Sequence, residues 1–229
     1  LQHQDITHIV HLGAQAGVRY SLRDPYTYID SNVMAQVVML ECARLLPNLE
    51  HLVYASSSSV YGGNTKLPFS EADRVDHPVS LYAATKKAAE LISHAYGHIY
   101  QIPTTGLRFF TVYGPWGRPD MAAYIFTRKI LAGEPIEVFN HGKMQRDFTY
   151  IDDIISGLMG AIRHTPAAGA PTQVYNLGNH KSEDLLEFIG VIERALGREA
   201  KKIFLPLQPG DVPATYADIE MAQRDLDRK

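Results

Sequence analysis

In His51-Leu-Val-Tyr-Ala-Ser-Ser-Ser-Ser-Val-Tyr-Gly62, a mostly apolar strand leads directly into a run of four serines. One loop later, Tyr82-Ala-Ala-Thr-Lys86 opens an amphipathic helix. A buried strand followed by a helix is the repeating unit of α/β folds, in which helices cover both faces of a parallel sheet. The pattern predicts such a sheet, with the serine hydroxyls at the carboxyl end of a strand, where open α/β folds bind ligands.

The same alternation continues along the chain. Apolar stripes at helical spacing predict helices over 25–46, 81–100, 122–131, 152–164 and 182–196, the last with Ser182 as its N-cap and Gly197 as its C-cap. Short apolar runs predict strands over 7–13, 51–55, 104–109, 136–139, 174–177 and 203–207.

The expected architecture is a Rossmann-like doubly wound parallel sheet followed by a smaller mixed α/β lobe. We expect residues 1–118 to form the sheet domain, and 119–229 to form mostly the lobe, with a possible return to the sheet near 146–177. The sequence contains no G-x-G-x-x-G turn of the kind that opens a dinucleotide-binding domain. We therefore expect that the N-terminal strands of the sheet are missing and that the chain is an internal fragment of a longer one.

Composition excludes several classes of protein. The chain has 229 residues, 45% hydrophobic and 21% charged, with a net charge of −3, which gives no electrostatic footprint for nucleic acid. The single cysteine excludes a disulfide framework and a cysteine zinc site, and no histidine or carboxylate spacing is typical of a metal site. Because there is neither a membrane-length apolar run nor a signal-peptide pattern, we expect a cytoplasmic protein.

The spacing of Tyr82 and Lys86 has a chemical consequence. Residues four apart lie on one helix face, so the Lys86 ammonium can lie beside the Tyr82 phenol. A nearby cation favours phenolate, which predicts a lowered tyrosine pKa and a usable proton shuttle. Serines from the adjacent strand end could bond the same substrate oxygen. The residues therefore predict a site that removes a proton from an alcohol while a hydride leaves its carbon.

Six stretches carry a resemblance to a known family. The serine run, the Tyr82/Lys86 pair and Leu107-Arg-Phe-Phe-Thr-Val-Tyr-Gly-Pro115 resemble the extended short-chain dehydrogenase/reductases, in their nucleotide-sugar epimerase/dehydratase branch. Three further stretches are similar to UDP-glucuronate 4-epimerases: His11-Leu-Gly-Ala-Gln-Ala-Gly-Val-Arg-Tyr-Ser21, Gly142-Lys-Met-Gln-Arg-Asp-Phe-Thr-Tyr-Ile-Asp-Asp153 and Gln208-Pro-Gly-Asp-Val-Pro-Ala-Thr-Tyr-Ala-Asp218. The likeness runs from about residue 5 to residue 218.

The resemblance implies NAD as cofactor and 4-epimerisation of UDP-glucuronate to UDP-galacturonate through a transient 4-keto intermediate, for surface polysaccharide. It implies catalytic roles for Tyr82, Lys86 and one serine, of which we favour Ser57. The implied cofactor contacts, besides Tyr82 and Lys86, are Leu12, Ala14, Gln15, Asn32, Phe109 and Val112. The implied substrate contacts are Ser58, Ser59, Thr111, Arg118, Arg146, Asp211 and Arg19.

Several of these residues have an ordinary alternative. Asn32 could bond neighbouring backbone, Arg146 could pair with Asp147, and Arg118 could be a solvated loop charge. Asp211 follows Pro-Gly and could belong to a simple turn.

The alternative enzymes are a UDP-glucose 4-epimerase and a UDP-glucuronate decarboxylase. A 4,6-dehydratase is disfavoured, because elimination needs an acid/base pair and the residues before Val60 offer only hydroxyls. The non-enzymatic alternative is a truncated nucleotide-sugar-binding domain without bound NAD, which the missing glycine turn favours. The resemblance also implies a homodimer, formed through the helices that begin near Pro25 and at Leu81.

Overall fold

The computed structural model describes residues 5–226 and contains a central four-stranded parallel sheet. The strands are β1 (His8–His11), β2 (His51–Ser57), β3 (Thr104–Phe109), β4 (Thr111–Tyr113), β5 (Ile136–Val138), β6 (Gln145–Arg146), β7 (Phe148–Tyr150), β8 (Thr172–Leu177), β9 (Glu183–Asp184) and β10 (Lys202–Phe204). The helices are α1 (Pro25–Tyr28), α2 (Ala35–Arg44), α3 (Leu81–Tyr100), α4 (Ala122–Ala132), α5 (Ile151–Arg163), α6 (Leu185–Leu196) and α7 (Glu220–Asp225).

The central sheet has the order β1-β2-β3-β8, and each neighbouring pair is parallel. Its register places Val10 beside Val53. Leu107 lies between Ala55 and Tyr175. All four carboxyl ends therefore lie along one edge of the sheet, as the sequence predicted. The strand predicted over 174–177 begins two residues earlier, at Thr172.

Alternate residues of β2 supply two separate cores, because successive side chains of a strand point to opposite faces. Leu52 and Tyr54 pack with Leu40 of α2 on one face. Val53 packs on the other face with Ile154 of α5, in a core that also contains residues of β3, β8 and α7. Helices thus cover the sheet on both sides, which confirms the doubly wound architecture.

Two predicted helices differ from what the structure contains. The segment predicted over 25–46 begins as α1, widens into one π-type stretch over Ile29–Met34, and continues as α2 to Arg44. The prediction of Ser182 as an N-cap is wrong, because α6 begins at Leu185 and the Asp184 carboxylate accepts from the Leu186 backbone N–H at 2.8 Å. The C-cap is confirmed at Gly197, which has a left-handed φ of 61°.

Helices α4 and α6 form a further core with β5, which pairs in parallel with β10. Its members are Phe126 and Ile130 of α4, Ile136 and Val138 of β5, and Ile189 of α6, among others. β8 lies in the central sheet beside β3. The division into domains 1–118 and 119–229 stays a prediction. Between residues 5 and 226, no helix is long and apolar enough to cross a membrane.

Candidate active site

The hydroxyl of Ser57 and the phenol of Tyr82 meet where β2 ends and α3 begins. Ser57 caps the turn that follows β2, since its Oγ accepts from the Ser59 backbone N–H at 3.2 Å. Ser80 caps α3 by accepting from the Ala83 backbone N–H at 3.1 Å. Each cap fixes the backbone of its own segment, and Tyr82 of α3 forms a hydrogen bond with Ser57 of β2.

The Tyr82 phenol has a pKa above its ordinary value. Burial is the largest cause and raises the pKa, while the hydrogen bond with Ser57 and the charge of Arg118 lower it by less. The prediction of a lowered Tyr82 pKa is therefore wrong for the chain alone. The cation that favours phenolate here is Arg118, which is distant in sequence, and not Lys86.

Lys86 is nevertheless positioned to donate hydrogen bonds to a bound molecule. Its side chain is buried, and its ammonium donates to the Ala55 carbonyl at 2.9 Å. Burial lowers the Lys86 pKa to about 8. An ammonium has three donors, and across residues 5–226 this is the only hydrogen bond that Lys86 forms. The group therefore keeps donors for the hydroxyls of a bound molecule.

The loop after β1 is held in place by Asn32. The Asn32 amide oxygen accepts from the Gln15 backbone N–H at 2.8 Å, and its amide nitrogen donates to the Gln15 carbonyl at 3.0 Å. The same nitrogen donates to the Thr85 hydroxyl at 2.9 Å. The structure therefore gives Asn32 the backbone-bonding role that the sequence left open. Contacts of Asn32, Gln15, Leu12 and Ala14 with a cofactor stay predictions; Leu12 and Ala14 are exposed.

Tyr28 is a site residue that the sequence did not indicate. Its hydroxyl donates to the carbonyls of Ala16 and Gly17, and its buried ring packs edge-on against Tyr82, with the ring centroids 6.1 Å apart. It thus supports both the loop and the phenol. The only signal in the sequence was a tyrosine within a helical stripe, which is typical of any packed helix.

Five of the predicted substrate residues line one cleft of about 160 Å³ beside this pair. They come from the turn after β2, from β4, from β6 and from the segment that follows β10: Ser58, Ser59, Thr111, Arg146 and Asp211. The cleft therefore combines hydroxyls, one guanidinium and one carboxylate from four distant stretches of the chain.

The three arginines of the site differ in their partners. Arg19 pairs with Asp211 at 3.2 Å, and its guanidinium lies 4.5 Å from the centre of the Phe139 ring. Arg146 donates to the carbonyls of Gln145 and Pro213 at 2.8 and 3.1 Å. Arg118 pairs with Asp120 through two of its three nitrogens, Nε and Nη2. The pKa of Arg146 is lowered, chiefly by burial, so this guanidinium would gain from an anionic ligand.

Phe109 and Val112 occupy apolar surroundings. Both are partly buried against the core that contains Leu107 and Leu177. Their packing explains why these positions are apolar, and their predicted contact with a cofactor stays a prediction.

A second cleft, of about 590 Å³, lies between the β4–β7 pair and α6. It is lined by Tyr113, Phe148, Phe188, Glu183, Glu187 and other residues, none of which belongs to the predicted site. Between residues 5 and 226, no group of three or more His, Cys, Asp or Glu side chains could hold a metal ion.

A family model described as the NAD dependent epimerase/dehydratase family matches residues 1–178. The chain belongs to this family. The family assignment agrees with the hydroxyl, phenol and ammonium found together at the carboxyl edge of its parallel sheet.

Relatives of this epimerase/dehydratase chain cover nearly all of it. Protein CapI of Staphylococcus aureus is 53% identical, over 96% of this chain and 70% of that protein. UDP-glucuronate 4-epimerase 2 of Arabidopsis thaliana is 51% identical, over 97% of this chain and 54% of that protein. The chain thus spans 54% to 70% of the length of these two relatives.

The fold also matches solved structures. The crystal structure of UDP-glucuronic acid 4-epimerase from Bacillus cereus, in complex with UDP-glucuronic acid and NAD, has a TM-score of 0.92 and 36% sequence identity. The match covers 99% of this chain and 71% of that one. It confirms the Rossmann-like fold class predicted for this epimerase/dehydratase chain.

Proposed function

We propose that this chain carries the catalytic centre of an NAD-dependent enzyme that converts UDP-glucuronate to UDP-galacturonate by inversion at C4. The observation that carries the proposal is the hydrogen-bonded Ser57–Tyr82 pair, which stands beside Lys86 at the carboxyl edge of the sheet. Identities of about 50% to UDP-glucuronate 4-epimerases support it.

NAD, when bound, supplies the hydride acceptor and donor for the sugar carbon. The Lys86 ammonium has donors available for ribose hydroxyls, and the exposed loop through Leu12 and Ala14 lies at the end of β1. These groups fit one end of a dinucleotide. Phe109 and Val112 are proposed to contact the nicotinamide side.

Tyr82 exchanges the proton of the C4 hydroxyl. It takes that proton as the sugar becomes a transient 4-ketone, and returns it after the sugar has presented its other face. Ser57 donates to the same sugar oxygen and keeps it within hydrogen-bond distance of the phenol. A group that must both accept and donate a proton works best when neither its protonated nor its ionised form is strongly favoured in the complex. Positive charge from Arg118 partly offsets the burial that now favours the neutral phenol.

The remaining cleft residues recognise the nucleotide sugar. Arg146 is proposed to bind the diphosphate, and Asp211 a ribose hydroxyl, so the Arg19–Asp211 ion pair must open when nucleotide enters. Ser58, Ser59 and Thr111 are proposed to bond the C6 carboxylate. Arg118 completes that carboxylate site by exchanging the Asp120 carboxylate for that of the sugar, since a guanidinium fork accommodates either one.

NMR of the reaction products tests this proposal. The chain is incubated with NAD and UDP-glucuronate, and in a parallel reaction with UDP-glucose. UDP-galacturonate as the product of the first reaction supports the proposal. UDP-xylose with released CO2 would instead indicate a decarboxylase, and faster conversion of UDP-glucose to UDP-galactose would indicate the other epimerase.

We also propose that two copies pair through the helical stretch 29–44 and α3. Exposed apolar side chains lie on both, and they include Met34, Val38, Leu91 and Ile99, each more than half exposed. Two such helices from each copy would form a four-helix bundle. Analytical ultracentrifugation tests this, with Val38→Glu/Leu91→Glu expected to give monomers.

A further inference from the structure

A buried ion pair lies behind the Ser57–Tyr82 pair and has no assigned role in the chemistry. The Glu90 carboxylate of α3 accepts from Arg108 of β3 through both oxygens, at 2.8 and 2.9 Å. It also accepts from the Ser56 hydroxyl of β2 at 2.6 Å. Both charged side chains are only 4% exposed. One carboxylate thus joins the helix that carries Tyr82 to two strands of the sheet.

The contacts continue into the turn that carries the serines. Arg108 donates to the Tyr61 hydroxyl at 3.0 Å, and Tyr61 donates to the Asn176 amide oxygen of β8 at 2.7 Å. Tyr61 is the last residue of the turn over Ser58–Tyr61. The ion pair therefore holds both partners of the catalytic hydrogen bond: α3 through Glu90, and the serine turn through Arg108.

Three side chains of α3 contact three consecutive residues of β2. Tyr82, Lys86 and Glu90 are four residues apart and so lie on one helix face. Tyr82 bonds Ser57, Lys86 bonds the Ala55 carbonyl and Glu90 bonds Ser56. The first two contacts are those that substrate and cofactor would compete for, which leaves Glu90 as the contact that persists through a reaction cycle.

Stability alone does not explain a charged pair at this position. Desolvation of two buried charges offsets much of their attraction, and apolar residues of similar volume often replace such a pair without loss of stability. What apolar residues cannot supply is a directional contact that sets the rotation of a helix. At about 5–6 Å from the axis, a rotation of about 10° moves a side-chain atom by about 1 Å. A displacement of that size can reduce turnover by roughly 100-fold.

We propose that Glu90 and Arg108 are positioning residues that fix the rotation of α3 against β2, so that Tyr82 stays hydrogen-bonded to Ser57. The kinetic consequence rests on the proposed function, whereas the geometric part does not require turnover.

The test replaces the ion pair by apolar residues, in the double variant Glu90→Leu/Arg108→Met. The matched control is Lys181→Met/Glu183→Leu. It removes an ion pair away from α3 whose nitrogen and oxygen atoms are 2.6 Å apart. NMR of 13Cζ-labelled tyrosine follows the Tyr82 ring, assigned by Tyr82→Phe. In the wild-type and control backgrounds, Ser57→Ala should shift the Tyr82 resonance, because it removes the hydrogen bond. In the folded double variant, the shift caused by Ser57→Ala should be less than roughly a third of its wild-type size, because the Ser57–Tyr82 hydrogen bond is already lost.

Kinetics give the second readout. The double variant should lose roughly 30-fold or more in kcat with KM changed by less than about threefold, because chemistry and not binding depends on the phenol's position. An undiminished Ser57→Ala shift in the folded double variant would overturn the proposal. If the wild-type chain does not turn over, the proposed function fails and the NMR result still decides the positioning role.

Arg108→Lys decides the matter if the double variant does not fold. Lysine keeps the charge but cannot hold both Glu90 oxygens. A reduced Ser57-dependent shift at Tyr82 in this variant supports the positioning role, and an unchanged shift refutes it.

Discussion

His51 should make the chain lose stability in mild acid. It begins β2, is fully buried, and its Nε2 lies 2.8 Å from the Thr105 hydroxyl oxygen. Burial is the main reason that its pKa falls from 6.5 to about 4. As pH falls below 6.5, His51 binds a proton in the unfolded chain but not in the folded chain. The free energy of unfolding therefore declines until the pH reaches about 4. Between pH 7 and pH 4.5, the shift corresponds to a loss of roughly 2 kcal/mol from this one group.

His51→Gln removes the titration while keeping a side chain that can bond Thr105. Urea unfolding at both pH values, followed by circular dichroism, gives the free energy of unfolding. The drop between pH 7 and 4.5 should be smaller in His51→Gln than in the wild type by roughly 2 kcal/mol. His77→Gln, at an exposed loop position, serves as the control and should keep the wild-type drop. An equal drop in His51→Gln and the wild type would refute the assignment to His51.

Three further outcomes follow from the site. Tyr82→Phe should reduce turnover by roughly 1,000-fold or more and leave UDP affinity, measured by calorimetry, within about threefold; comparable turnover would remove Tyr82 from the mechanism. Arg118→Met should raise KM for UDP-glucuronate by roughly tenfold without a similar change for UDP-glucose, and equal changes for both sugars would contradict a carboxylate contact. Asn32→Ala should lower the free energy of unfolding by about 1–3 kcal/mol, because it removes both side-chain partners of the Gln15 backbone and one of the two hydrogen bonds of the Thr85 hydroxyl, and a loss below about 0.5 kcal/mol in urea unfolding would contradict that role.

Elements whose signals are local were predictable from the sequence. The strand over 104–109 and the helix over 81–100 have the predicted bounds, because an apolar run and an N-cap serine mark them directly. The π-type stretch over 29–34 was not predictable, since widening one helical turn depends on what packs against it. The Ser182 error has a similar origin. Ser182 and Asp184 can both cap a helix, and the pairing of Asp184 in the β6–β9 ladder decides which one does.

The candidate site, like the fold, was predictable from the sequence only in part. Spacing along one helix and one strand end placed Tyr82 near the serine run, and the resemblance favoured Ser57 among the four serines. The direction of the Tyr82 pKa shift was not predictable, since it depends on burial and on which distant loop brings a charge near the phenol. Arg118 lies 36 residues beyond Tyr82, yet its charge acts on the phenol. Likewise, nothing in the sequence distinguishes Glu90 and Arg108 from surface charges, and only the fold shows that they are buried together.

The raised pKa of Tyr82 constrains how the site can work. With a pKa above 10.0, fewer than about one in a thousand phenols is ionised at pH 7, so the chain by itself holds Tyr82 as an acid. Abstraction of the sugar proton must therefore coincide with a change in charge or solvation around the phenol. Arg118 cannot supply all of it, because its pairing with a sugar carboxylate would weaken the effect that it now has on Tyr82. Lys86 has a pKa of about 8 and is therefore already mostly protonated at pH 7, so it gains little further charge on binding. We propose that the charge of the bound cofactor supplies the remainder, and that Lys86 holds the cofactor from the adjacent turn of the same helix.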